Sequence, residues 1–305
     1  MDYTKDFRRQ RLKHMKKIIF ITELRNPASA KASSTTIMIN NLLYGLKQTG
    51  AYIHFIAFID YIKEKNEIKE FYRGKLDKVT LIKSSFCTEG ADRKYKTLWK
   101  EMLQWLSGKY RLLAQSIYVD DDSMIISHSP STESVLLARE LHKNHRYIQF
   151  WSDPMTISGI YPEKISLKRL PVYWSEKKAL SYADEIVFGT KILYDFQKTI
   201  FPEYENKMRY VDICHSIPKG KCKSKRNEPL TFGYFGNYFS EIRNIRPLCE
   251  AFDNSQYQLL ICGSGNVTVK QNTHIKIMDR ISVAAADELE DTVDVLVCIL
   301  NANCV

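Results

Sequence analysis

The chain has 305 residues, 44% hydrophobic and 26% charged, and carries a formal net charge of +10. That length favours two domains over a single core, and the balance is that of a soluble globular protein. No apolar run approaches the roughly 18–20 residues a bilayer span needs, and no apolar segment with a cleavage site opens the chain, so a cytoplasmic protein is expected.

The charge is unevenly placed. Residues 229–305 hold 5 Lys/Arg against 9 Asp/Glu, a net of −4, which leaves 40 against 26, a net of +14, in residues 1–228. A basic part joined to an acidic one points to two domains with different partners. An anionic membrane surface, nucleic acid or a phosphorylated acceptor would suit the basic part. A well-solvated basic surface is the plainer reading. The seven cysteines (Cys87, Cys214, Cys222, Cys249, Cys262, Cys298 and Cys304) show no C-x-x-C pair and no zinc spacing. They read as reduced core thiols, with Cys262 and Cys298 in strand-like positions.

In chain order, residues 1–15 are polar and basic, a tail in which Met15 is a second candidate start. An alternation of strands and helices follows. Strands are expected at Ile18–Thr22, Tyr52–Ile59, Val79–Ile82, Met124–Ser127, Tyr147–Phe150 and Glu185–Phe188. Helices are expected at Thr36–Gln48, Lys94–Gln115, Thr132–Lys143, Ile165–Tyr182 and Lys191–Thr199. Short apolar strands between amphipathic helices imply a parallel sheet covered on both faces.

The pattern breaks over residues 212–229, where IPKGKCKSKRNEP reads as a linker. It restarts with strands Leu230–Phe235, Tyr257–Cys262, His274–Ile277 and Asp294–Ile299, and helices Ile245–Phe252 and Ser282–Leu289. The expected organisation is therefore a basic tail at 1–15, a Rossmann-like domain at 16–211, a linker at 212–229 and a second such domain at 230–305. The last strand, buried on both faces in a doubly wound sheet, is followed by no helix to cover it, so the second domain reads as incomplete.

Such folds bind ligands at the carboxyl ends of their strands, and two such domains leave a cleft between them. The turn after the first strand, TELRNPASAKASSTT, lacks G-x-G-x-x-G, which argues against a dinucleotide there. Ser33–Thr36 can cap the next helix, and Arg25 and Lys31 add positive charge on the acceptor or phosphate side. An ordinary capped helix accounts equally well for either basic residue. The run MIISHSPSTES puts His128 at a strand end with Pro130 and Ser131 opening a helix. An imidazole there can donate to a hydroxyl or phosphate and titrates near neutral pH.

QFWSDP places Trp151 and Asp153 on the same rim, where Asp153 either orients a sugar hydroxyl or caps a turn. Further on, YFGNYFSEIRNI offers Gly236, Asn237 and Arg243, and CGSGN offers Gly263, Ser264 and Gly265. Small residues let backbone amides approach an anion, and an arginine fork suits a diphosphate.

The order of these motifs resembles the GT-B glycosyltransferases, especially the retaining family 4 group, over residues 16–305. The resemblance rests on the HSP turn at His128, the YFGN turn with Arg243, the CGSGN turn, and MDRISVAAADELEDTVDVLV with Arg280 in a base-binding loop. It implies two Rossmann-like doubly wound domains, the first binding the acceptor and the second the nucleotide sugar. It implies donor contacts from Gly236, Asn237, Arg243, Gly263, Ser264, Gly265 and Arg280, and catalytic roles for His128 and Asp153. NPASAKAS replaces the family's glycine pair after the first strand, and its carboxylate motif, E-x(7)-E, would fall beyond Val305.

One rival motif is Asp120-Asp121-Asp122, which mimics a metal-binding D-x-D. It precedes a strand, whereas a metal D-x-D should end one. No metal or cofactor is therefore expected, with Arg243 and backbone amides meeting the leaving-group charge.

The reading is sugar transfer from a nucleotide diphosphate sugar to a glycan or lipid-linked acceptor, in polysaccharide synthesis at the inner face of a membrane, with no nucleic-acid partner. The alternatives are a GT-B sugar-nucleotide epimerase, which would want more carboxylates than Asp153, and a non-catalytic binding module. With the carboxylate motif beyond its end, the chain as given is expected to bind a nucleotide diphosphate poorly.

Overall fold

The computed structural model describes residues 16–28, 34–85, 105, 107–129, 131–153, 170–212, 227–238, 243–268 and 271–299. The chain divides into two compact units, Met1–Arg25 with Ser34–His215 and Asn26–Ser33 with Ser216–Val305.

The first unit is built on a seven-stranded parallel sheet in the order β3-β2-β1-β4-β5-β6-β7. Its strands are β1 (Lys17–Leu24), β2 (Tyr52–Ile59), β3 (Lys78–Lys83), β4 (Ser123–Ser129), β5 (Tyr147–Trp151), β6 (Glu185–Phe188) and β7 (Met208–Tyr210). The helices are α1 (Ser34–Gln48), α2 (Lys65–Tyr72), α3 (Lys109–Gln115), α4 (Thr132–His142), α5 (Leu170–Tyr182) and α6 (Lys191–Ile200).

The central strands are apolar on both faces because both are covered. Along β1, Ile18 and Phe20 join a core with Phe55, Ile39 and Tyr72, while Ile19 and Ile21 join one with Phe58, Leu136 and Leu180. Ser131 and Thr190 start α4 and α6, each hydroxyl accepting from the amide three residues on (Ser134 N at 3.3 Å, Leu193 N at 3.2 Å). The strand order reverses between β1 and β4, and at such a switch point open α/β sheets form a ligand crevice.

The second unit carries a four-stranded parallel sheet, β10-β9-β8-β11, with β8 at Thr231–Phe235, β9 at Gln258–Cys262, β10 at Ile275–Met278 and β11 at Val295–Leu296. Helices α7 (Arg246–Phe252) and α8 (Val283–Glu290) follow β8 and β10. The Asp294 carboxylate joins the start of β11 to β8 by accepting from Thr231 N at 2.8 Å and Asn227 N at 3.1 Å.

Several expectations change. The last strand spans only Val295–Leu296 where Asp294–Ile299 was expected, and its exposure, 39% and 59%, agrees with the expectation that it is left without a covering helix. At the sheet edge β11 has one strand neighbour, β8. Cys298 is exposed and not a core thiol, whereas Cys249 and Cys262 are buried.

Helix α2 was not expected, since only Ile68 and Tyr72 of its eight residues are buried. Strand β7 was missed because Met208 alone of its three residues is buried. The helices expected to start at Lys94 and Ile165 are described from Lys109 and Leu170, the residues before them lying largely outside the described set. None of the described helices is long and apolar enough to cross a membrane.

Candidate functional site

In the first unit, the switch point is occupied by a chain of polar side chains. His128, next to last in β4, places Nδ1 3.2 Å from Thr22 Oγ1 on β1 and Nε2 3.0 Å from Ser152 Oγ just past β5. Thr22 donates onward to the Glu23 carbonyl at 2.9 Å, and Ser152 donates to Asp153 Oδ2 at 3.1 Å. His128 is 3% exposed, so it lies within the protein and not open at a rim as its strand-end position led us to expect. Burial pushes its pKa down to about 4, leaving a neutral imidazole at physiological pH. Two proton arrangements satisfy the chain. In one, Nε2–H donates to Ser152, which keeps its bond to Asp153, while Thr22 donates to Nδ1 in place of the Glu23 carbonyl. In the other, Nδ1–H donates to Thr22, which keeps its bond to Glu23, while Ser152 donates to Nε2 in place of Asp153.

Asp153 is exposed beside this chain, while Trp151 is in the core, its Nε1 donating to Gln149 Oε1 at 3.0 Å. Arg25 is exposed. Lys31, Ser33 and Pro130 lie outside the described residues. Sequence reasoning did not find Glu133. Buried in the first turn of α4, its carboxylate accepts from Ser84 Oγ at 2.6 Å, Ser85 N at 3.0 Å and Tyr110 Oη at 2.9 Å. It thereby fastens the end of β3 and helix α3 to the helix that follows His128. Glutamate near a helix start looks like ordinary dipole complementation, and the three donors come from residues far away in sequence.

In the second unit, the loops after β8 and β9 run on side by side. Gly236 N donates to Cys262 O at 2.9 Å, Tyr238 N to Ser264 O at 3.1 Å and Asn266 N to Tyr238 O at 3.2 Å. This closeness dictates two of the glycines. A Cβ on Gly263 would stand 1.9 Å from the Gly236 carbonyl oxygen, and one on Gly265 1.6 Å from that of Tyr238. Gly236 is different, with nothing nearer than the Tyr234 hydroxyl at 3.7 Å.

The amides of Gly236, Tyr238 and Gly263 are spent on neighbouring carbonyls. Those of Asn237, Ser264 and Gly265 have no acceptor among the described residues. Tyr234 Oη donates to the Asn237 carbonyl at 2.8 Å and Ser264 Oγ to Asn237 Oδ1 at 3.3 Å, which hold the loop pair in shape. Arg243 is exposed, and its charge opposes the burial that pushes the Tyr234 phenol up. Arg280 is half-buried just after β10, ahead of Ser282, whose hydroxyl caps α8 by accepting from Ala285 N at 3.3 Å.

No protein-family model and no curated protein matches the chain. Solved structures do. TarM from S. aureus, in complex with fondaparinux, alpha-GlcNAc-glycerol and UDP, matches with a TM-score of 0.60 and 10% identity, over 91% of this chain and 80% of that one. Sucrose-phosphate synthase from Thermosynechococcus elongatus matches at 0.58 and 12%, over 92% and 74%. The catalytic domain of starch synthase IV from Arabidopsis thaliana, bound to ADP and acarbose, matches at 0.56 and 10%, over 92% and 78%. The fold is GT-B.

At this identity the likeness is one of fold. In the GT-B frame both groups of polar residues stand at the carboxyl edges of their own parallel sheets, where α/β folds place ligands. The acidic triplet lies elsewhere. Asp120 and Asp122 sit before β4 and pair with Lys17 at 3.1 and 3.6 Å, at the amino edge of the first GT-B sheet.

Proposed function

We propose that this chain is a nucleotide-sugar-dependent glycosyltransferase. The observation that carries the reading is the paired loop after β8 and β9, with three amides (Asn237, Ser264, Gly265) that have no acceptor among the described residues, and with the exposed Arg243 following the first of the two loops. Amides that cannot relax away from an anion, joined to one guanidinium, suit a diphosphate whose charge grows as it leaves. That TarM and starch synthase IV were solved with UDP and ADP supports a nucleoside diphosphate as that anion. The resemblance read from the sequence adds Gly263 and Arg280 as the lining of the base pocket.

In the reaction, an acceptor hydroxyl oxygen forms a bond to the anomeric carbon as the bond from that carbon to the diphosphate breaks. Arg243 and the loop amides stabilise the negative charge of the departing diphosphate, and the acceptor hydroxyl proton passes to the leaving diphosphate oxygen or to water. On the acceptor side, Asp153 is the exposed carboxylate that orients a sugar hydroxyl. His128, being buried, acts through Ser152, fixing which way the serine hydroxyl points and so how Asp153 is held. By the same resemblance the anomeric configuration is retained, and the basic character of residues 1–228 suits a lipid-linked or cell-surface glycan precursor met at an anionic membrane surface.

The test is to incubate the protein with UDP-, ADP- and GDP-sugars and an acceptor panel, following nucleotide release and glycosylated product by mass spectrometry. Nucleoside diphosphate release coupled to acceptor glycosylation, lost in Arg243→Ala, is the expected outcome. Interconversion of the donor sugar without acceptor consumption would identify an epimerase instead.

A further inference from the structure

A cavity of about 310 Å³ opens in the first unit at the amino edge of the sheet, far from the groups described above. Four of its lining residues, Lys17, Tyr52, Lys78 and Ser123, are the first residues of β1, β2, β3 and β4. At a rise of about 3.3 Å per residue, the eight residues of β1 put more than about 20 Å between this edge and the carboxyl edge.

Its lining is aliphatic at Ile18 and Ile19. Tyr52 and Tyr118 also line it, and Tyr118 is 74% exposed although it is a large aromatic. The Tyr118 phenol is pushed up chiefly by the neighbouring Asp120 carboxylate. His54 is 5% exposed, and its Nε2 is 2.8 Å from Thr80 Oγ1. Its Nδ1 has no partner among the described residues, and the residue lines the cavity, so this nitrogen is available to a bound group. Burial, and then the charge of Lys78, push the imidazole down to about 4, so it serves as a neutral hydrogen-bonding group.

The charges are uneven. Lys17 is neutralised by Asp120 and Asp122. Lys78, exposed at the rim, has no acidic partner among the described residues, and its field reaches the cavity because His54 responds to it. Aliphatic lining, two tyrosine rings, a cation without an acidic partner among the described residues and one neutral polar atom describe a site with a defined chemistry.

We propose that this cavity binds a small planar ring carrying one carboxylate, with Lys78 as its counter-ion, the Tyr52 and Tyr118 rings as walls and His54 Nδ1 as its hydrogen-bonding partner. Such a site is separate from any sugar-nucleotide site at the strand carboxyl ends, and it stands or falls independently of the transferase reading.

The experiment is an NMR titration of the full chain with benzoate and with benzamide, its uncharged isostere, following the His54 and Tyr118 ring signals. Benzoate is expected to shift those signals saturably and to bind about ten-fold more tightly than benzamide, the margin of one charge-assisted contact. Lys78→Gln, at an exposed position outside the core, is expected to bring the two ligands to parity. Shifts that miss His54 and Tyr118, equal affinity for the two ligands, or an anion preference that survives Lys78→Gln would each overturn the proposal.

Discussion

His128 and His54 are buried imidazoles that the fold keeps neutral, each with a pKa held at about 4 against a value near 6.5 in an unfolded chain. The sign of the consequence follows from proton binding. Below pH 6.5 the unfolded state takes up protons that the folded state refuses, so stability present above that pH is lost as the pH falls toward 4. Each histidine is expected to account for about 3 kcal/mol of that loss, at up to about 1.4 kcal/mol per pH unit. Chemical denaturation between pH 7 and 4 checks this, with His54→Gln removing about half of the histidine contribution to the slope.

His128→Ala is expected to cost about 2–4 kcal/mol, because it removes a buried ring and strands the Thr22 and Ser152 hydroxyls. Assayed well below its lowered Tm, the variant should also turn over about 100-fold more slowly. A folded variant with wild-type turnover would leave His128 a core residue and nothing more. The sequence announced this histidine through the HSP turn after an apolar run. Its burial was not legible, since the residues that enclose it, Thr22 and Ser152, lie 106 and 24 positions away.

At the scale of elements, the glycines of the second unit give a sharp contrast. Gly265→Ala would drive a methyl group into the Tyr238 carbonyl, backbone against backbone, and should cost about 2–4 kcal/mol while forcing the loop pair apart. Gly236→Ala meets nothing closer than 3.7 Å and should change the Tm little. Thermal melting of the two variants side by side tests whether the loops are zipped as described, and equal Tm losses would refute it.

The strands of both sheets other than β7 were readable from their apolar runs, since parallel strands buried on both faces have little else in them. What was not readable is informative. Helix α2 hides because two buried residues make too thin a stripe, and β7 because only Met208 of its three residues is buried. The glycine turns were visible as turns. That their amides would divide into spent and unspent sets depends on the register between β8 and β9, which no local pattern encodes.

For the whole molecule, the split between a basic stretch of +14 and an acidic one of −4 bears on where the protein works. If the basic part meets an anionic membrane, co-sedimentation with phosphatidylserine vesicles should be strong at low salt. It should fall steeply as the Debye length shrinks to about 8 Å at physiological ionic strength and to about 3 Å at 1 M. Negligible binding at every salt concentration would leave a soluble acceptor.

Two doubly wound domains were legible from the repeating strand–helix order, and the resemblance to GT-B from the order of the turn motifs. The chemistry was legible only as a set of strand ends, because fold does not fix function and the acting groups are named by geometry. The most direct test of the central claim is calorimetric titration of the protein with UDP, ADP and their monophosphates, repeated with Arg243→Ala. The account predicts saturable binding of a nucleoside diphosphate, weakened about ten-fold or more by removing either the second phosphate or the guanidinium. Absence of saturation with any nucleotide into the millimolar range, or diphosphate binding indifferent to Arg243, would contradict it.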